Sequence, residues 1–195
     1  MITLQVKEHL NIKTVYTATI CDFTKAIAEY YTLLNFLKKP LPKGKNGRER
    51  HRMMYQHLKD AYHKAAAVRV EKYVNLAPTA GRAVIAQRLS NITTYTGILN
   101  YAALGDDTTV PTNGDTTLGN ETYRQTITSQ NAVNNLSYQS VFIPAGTATG
   151  THKEAGLFID GAAGADTGQL FSHVNIDITK SAQNSLTLDI EITLA

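Results

Sequence analysis

The sequence predicts a mainly β protein, an antiparallel β-sandwich with an N-terminal strand pair and one or two helices. Three observations carry this. Near the C-terminus, Leu186, Leu188, Ile190, Ile192 and Leu194 alternate with Thr187, Asp189, Glu191 and Thr193, the period of a strand with one buried and one wet face. Upstream, "TYRQTIT", "SYQSVFI", "AGLFI" and "LFSHVNIDI" are further short strand-like runs separated by Asn, Gly, Pro and Asp clusters, the pattern of a sandwich or barrel. The 195 residues, 43% hydrophobic and 18% charged, suffice for one domain with a sizeable core, or a domain plus an arm, but not for two enzymatic domains.

In chain order, residues 2–6 and 12–20 read as strands, with Ile2, Leu4 and Val6 and then Val15 and Ile20 among β-branched neighbours. Residues 25–37, "KAIAEYYTLLNFL", fit either a second hairpin arm or a short helix, and periodicity does not decide between them. "KKPLPKGKNGRERHR" has two prolines, two glycines and a dense charge run that break regular structure. "MMYQHLKDAYHKAAAVRVEKYV" favours helix, with Met54, Leu58, Tyr62 and Ala65 at helical spacing. Pro78 and Thr79 mark a fresh start, and "AGRAVIAQRL" places Val84, Ile85 and Leu89 on one helix face that Asn91 closes. The chain therefore divides into N-terminal strands packed on the main domain (1–36), a basic, partly helical insertion or arm (37–73), and the sandwich with its leading helix (74–195).

The lone Cys21 excludes an internal disulfide framework and a thiolate metal cluster, and in its strand-like run it reads as a small buried hydrophobe. No window approaches 18 uninterrupted apolar residues, and "MITLQVKEHLNIK" alternates apolar and polar residues without the apolar stretch of a signal peptide. The expectation is synthesis in the cytoplasm with no cleaved leader. The net charge of +3 hides an asymmetry: Phe36 to Tyr73 hold 11 Lys and Arg against 3 Asp and Glu (+8), the remainder 8 against 13 (−5).

Residues 101–121, "YAALGDDTTVPTNGDTTLGNE", look most like a site. An EF-hand loop needs alternate oxygen ligands, a central Gly and a closing Glu. Here Asp106 and Asp107 are adjacent, Pro111 interrupts, and Glu121 is too distant. A phosphate cradle needs a Lys after its glycine turn, and none follows Gly105 or Gly119. The favoured reading is an ordered connector, with Gly105, Asn113-Gly114 and Gly119-Asn120 at positive-φ turn positions and Asp and Thr side chains bonding nearby amides. An irregular calcium site at Asp106, Asp107 and Asp115 is the alternative.

Other chemistry is sparse. His51, His57 and His63 recur every six residues, about 600° apart on a helix, which spreads them around the axis. His152 in "THKEAG" reads as a solvated turn residue. There is no Gly-x-Ser-x-Gly elbow and no histidine near Cys21 in sequence. Asp177 and Asp189 could meet across strands, but both lie on polar strand faces. The reading is no enzyme, no cofactor and no metal centre.

The basic segment, with Lys38, Lys39, Lys43, Lys45, Arg48, Arg50 and Arg52 beside Tyr55 and Tyr62, suits either nucleic-acid phosphates or an acidic neighbouring subunit. "TAGRAVIAQRLSN" superficially resembles a recognition helix but has no clear partner helix at helix-turn-helix spacing. A receptor- or glycan-binding module would need an aromatic platform, whereas Trp is absent and most Tyr lie outside the strand region.

"NLAPTAGRAVIAQRLSN", "GILNYAALGDDTTVPTNGDTTLGNETYRQTI", "FIPAGTATGTHKEAGLFIDG" and "KSAQNSLTLDIEITL", taken together and in this order, resemble a family of small tailed-bacteriophage structural proteins. The matching positions are Ala103, Leu104 and Gly105, then Asp115, Thr116, Leu118, Gly119, Glu121 and Arg124, then Glu154 to Phe158, and the resemblance covers about residues 75–195. It implies a virion component of the tail, baseplate or fibre-attachment region, with a sandwich core, no catalytic site, and partners that are copies of itself and other virion proteins, without a membrane. The capsid-decoration and nucleic-acid-contacting roles are alternatives. The family passes more directly from its N-terminal strands to the "GRAVIA" helix, so the resemblance assigns no role to the insertion from about Leu37 to Lys72. The resulting expectation has the C-terminal strands as the rigid body, Glu121 with Arg124 pinning the connector, and the basic arm reaching a neighbouring subunit.

Overall fold

The computed structural model describes residues 12–22, 28, 31–33, 35–38 and 45–194. Among these residues nine strands form two antiparallel sheets packed as a sandwich. The first sheet has the order β2-β1-β9-β6-β5, with β1 Ile12–Asp22, β2 Ala67–Val74, β5 Ser129–Val133, β6 Leu136–Ile143 and β9 Asn184–Leu194. The second has the order β4-β3-β7-β8, with β3 Leu99–Gly105, β4 Glu121–Thr126, β7 Gly150–Ile159 and β8 Gln169–Lys180. Two helices, α1 Lys45–Ala66 and α2 Thr79–Leu89, complete the labelled elements, and the described residues of 28–37 are helical as well.

The alternating pattern of the last strand sets its register. Leu186, Leu188, Ile190 and Ile192 are buried, each worth about 1.5–3 kcal/mol, while Asp189 and Glu191 face out. On β1 the inward set is Thr14, Tyr16, Ala18 and Ile20, and Tyr16 lies opposite Ile190. A one-residue slip would turn both sets to water. The "EAGLF" strand supplies the facing side, with Ala155, Leu157 and Ile159 in the same core as Val141, Ile143 and Ile178. Phe158, on the other face of β7, packs with Ala103, Leu118 and Leu170 in a second cluster. Sheet two is thus buried on both faces along part of β7 and β8.

Several expectations change. The strand expected at 2–6 lies outside the described residues. The charged run does not stop regular structure, because α1 begins at Lys45 and takes in Arg48 to Arg52. The helix expected through Val74 ends at Ala66, and "AVRVEKYV" is β2, paired antiparallel with β1 from Val15↔Val74 to Cys21↔Ala67. Alternating β-branched Val68 and Val70, then Tyr73 and Val74, suit a pleated edge better than a helix. Residues 67–73 therefore belong to the sheet, and the chain between β1 and β2 is residues 23–66. Two strands, β3 and β5, are additional to those read from the sequence.

α2 lies on β8 through its first half only: Gly81 and Val84 are buried, Ile85 is partly buried, and Leu89 is exposed. The expected three-residue apolar face is thus a two-residue contact. Asn91 closes the helix in the left-handed region, φ 57°, with Ile92 N–H donating to Gln87 O (2.8 Å) and Asn91 N–H to Arg88 O (3.2 Å). No helix among the described residues is long and apolar enough to cross a membrane.

A Cβ at Gly81 would come within 2.7 Å of the Phe171 Cα and carbonyl oxygen on β8. Gly81→Ala therefore has to lift α2 off the sheet, at a cost of about 1–3 kcal/mol. Thermal unfolding should show a loss on the order of 2–4 °C per kcal/mol in a chain of this size, and an unchanged melting temperature would contradict the packing.

Candidate functional site: a buried carboxylate–imidazole–carboxylate cluster

The ordered connector after β3 is fastened to sheet two by a cluster that mixes a residue expected from the sequence with two that were not. His173 on β8 is 4% exposed and Glu154 on β7 is 1% exposed. Antiparallel pairing sets Gly156 opposite His173 and Glu154 opposite Asn175, so the Glu154 and His173 side chains stand side by side. His173 Nε2 is 2.9 Å from Glu154 Oε2, and Nδ1 is 2.7 Å from Asp115 Oδ2 in the connector.

Each carboxylate is also held by backbone amides. Glu154 accepts from Asn120 N–H (2.7 Å) and Gly119 N–H (2.9 Å). Asp115 accepts from Thr112 N–H (2.8 Å) and Thr112 Oγ1–H (2.6 Å). Asp107 accepts from Thr108 and Thr109 N–H at 2.6 and 3.1 Å, and Asn120 Nδ2 donates to Asp106 at 2.6 Å. The connector reaches α2 as well, with Thr79 N–H donating to Asn113 O and Arg82 to Asn113 Oδ1, both 3.0 Å. β8 is clasped from the other side by Leu76, which exchanges two backbone bonds of 3.0 Å with His173.

Ionised carboxylates only accept, so His173 donates from both ring nitrogens and is an imidazolium. Burial pushes its pKa down, but the bonds and charges of Glu154 and Asp115 outweigh this and hold it above the usual histidine value. Burial likewise pushes Glu154 and Asp115 up, and the bonds from His173 and from the connector outweigh it, leaving both below the usual carboxylate range. Both imidazole nitrogens are consumed in holding the connector, so neither is available as a base.

The connector residues named from the sequence take these places. Gly105 and Gly119 do not adopt positive φ, nor do Asn113, Gly114 and Asn120. Gly105 and Gly119 are needed for close approach: a Cβ on Gly105 would fall on the Glu154 carboxylate and one on Gly119 on the Asp107 side chain. Glu121 and Arg124 form a bidentate pair of 2.6 and 2.7 Å with both side chains buried. Arg124 also donates to Ala162 O, Thr167 O and Thr167 Oγ1, and its guanidinium lies 4.5 Å from the Phe158 ring centroid. This pair ties β4 to the loop between β7 and β8.

Asp106, Asp107 and Asp115 do not converge on one point: they are engaged by Asn120, by Thr108 with Thr109, and by Thr112 with His173, respectively. Among the described residues no group of three or more His, Cys, Asp or Glu side chains is arranged to hold a metal. His152 is buried on β7 rather than solvated, and its Nε2–H donates to Ala148 O at 2.9 Å. Asp177 and Asp189 lie in different sheets, the first paired with Lys153 at 2.7 Å and the second accepting from Ser140 at 2.7 Å. His51 stacks on Phe36 with centroids 4.5 Å apart, and His57 is exposed.

Of the basic residues, Lys38, Arg48, Arg50 and Arg52 are exposed. Lys45 opens α1, and Lys39 and Lys43 lie outside the described residues. The three arginines make no hydrogen bond or ion pair among the described residues.

The cluster has a pH signature. A raised His173 pKa contributes stability that is complete below the unfolded value near 6.5 and is lost as pH rises through the folded pKa. The depressed Glu154 and Asp115 contribute stability present above their unfolded values near 4.5 and 3.8 and lost as pH falls through their folded values. The melting temperature should therefore be highest between about pH 4.5 and 6.5 and decline on the alkaline side. His173→Gln should lower it throughout and flatten that decline; an identical alkaline slope in the variant would contradict the assignment. Comparison with protein-family models, with curated proteins and with solved structures gives no match.

Proposed function

We propose that this chain is a structural subunit of a tailed-bacteriophage particle, of the tail, baseplate or neck region, that works by presenting surfaces to copies of itself and to neighbouring proteins and carries out no reaction. The placement in a particle rests on the sequence resemblance over residues 75–195. One structural observation carries the mode of action: α1, 22 residues long, leaves the sandwich at the β1–β2 end and holds exposed Arg48, Arg50 and Arg52 without partners among the described residues. An α-helix rises 1.5 Å per residue, so Arg48 stands about 27 Å from the junction at Ala66. Exposed cationic groups on a helix of this length suit steering and holding an acidic partner.

The buried cluster fits the same role. Its charged groups are spent on fastening the connector, which suits a body that keeps its shape while force or assembly acts on it.

Deleting residues 38–52 should leave the thermal transition of the sandwich in place and abolish incorporation into particles. Normal incorporation of the deletion variant would remove the arm's assembly role. Retention of the full chain on duplex DNA, falling steeply between low and physiological salt, would reassign the arm to nucleic acid.

A further inference from the structure

The outward face of the first sheet carries a cleft of about 480 Å³ whose lining includes Thr17, Asn131, Tyr138, Ser140, Asp189 and Glu191. Its lining has two carboxylates and no Lys, Arg or His. Ser140 donates to Asp189 at 2.7 Å and steadies that carboxylate, whereas Glu191 has no partner among the described residues. Tyr138 lies directly opposite Glu191 in the sheet and Ser140 opposite Asp189. An exposed phenol ring therefore flanks the acidic pair, and such rings stack with guanidinium groups.

We infer that this cleft receives the first turns of α1 from a second copy of the chain, with Arg48 and Arg52 set against Asp189 and Glu191. The inference rests on the reading of α1 as a docking arm and names the surface it docks on. The spacings agree: residues two apart on one strand face are separated by about 6.6–6.8 Å, and residues four apart on a helix by about 6 Å along its axis and on the same side. Arg50, about 200° around the helix from Arg48, faces away from such a contact. The partner is a second copy rather than the arm's own body, because α1 departs from the Cys21–Ala67 end of the sheet and its arginines touch no carboxylate of their own chain among the described residues.

The test is a charge-swap cycle on the full chain, with self-association followed by analytical ultracentrifugation at low and physiological salt. Arg48→Glu with Arg52→Glu, and separately Asp189→Lys with Glu191→Lys, should each weaken association by about tenfold or more, while all four substitutions in one chain restore it. Arg50→Glu should have a clearly smaller effect than the Arg48/Arg52 pair. Asp189→Asn with Glu191→Gln keeps the shape of the cleft and should also weaken association, so the assignment is testable even if the lysine pair unfolds. Weakening by the arm swap alone, with no effect of the cleft changes and no rescue, would overturn this cleft as the receiving surface and leave the arm's docking role intact. A wild-type chain that stays monomeric would also overturn the inference, and particle incorporation of the 38–52 deletion would then judge the proposed function separately.

Discussion

His173 sits between two carboxylates with almost no water around it, and the arrangement of sheet two and its connector depends on that contact. A buried charge is costly unless paired and hydrogen-bonded. Here the imidazolium is paired twice, and each carboxylate has further donors from the backbone or side chains of the connector. Removing the imidazolium would leave the buried Glu154 carboxylate without its counter-charge, a loss on the order of 3–5 kcal/mol. The same bonds decide where residues 106–120 run: Asp115 binds one side of the ring, Gly119 and Asn120 bind the carboxylate on its other side, and Leu118 between these positions enters the second apolar cluster. Polar fastening and apolar burial therefore act on the same few residues.

The rest of the architecture follows from this anchoring. With the connector fixed, Asn113 ties α2 to it, and Glu121 with Arg124 ties β4 to the β7–β8 loop. The first sheet needs no such device, since β9 alternates cleanly and β1 and β6 pair along its length. Its outer face mixes polar Thr17, Ser140, Asp189 and Glu191 with exposed Val74, Tyr138 and Phe142. Among the described residues, those between β1 and β2 add length and charge and belong to neither apolar cluster, which is why removal of residues 38–52 and the stability of the sandwich are separable questions.

The sandwich was legible because its strands alternate, and Leu186 to Leu194 alone define an inner and an outer face. β2 was harder: "AVRVEKYV" follows "HKAA" without a break, and helix propensity runs past the point where the neighbouring strand β1 takes over the backbone bonds. Asp115, Gly105 and Gly119 stood out by composition, though the glycines are required for close approach and not for turn geometry. Glu154 and His173 were hidden inside "EAGLF" and "LFSHVNIDI", which read as ordinary strands. The available signal was a charged or titratable residue within a strand that is apolar on both sides, since Leu170 to Val174 are all buried. Their partnership is long-range, depending on strand pairing and on a loop 58 residues away, and local pattern holds no record of it.

The most direct measurement is nitrogen NMR of the His173 ring at neutral pH. A doubly protonated imidazolium with both N–H protons protected from exchange is the expected result. A neutral ring with one unprotonated nitrogen, or rapidly exchanging protons on both, would contradict the charged clasp on which the connector depends.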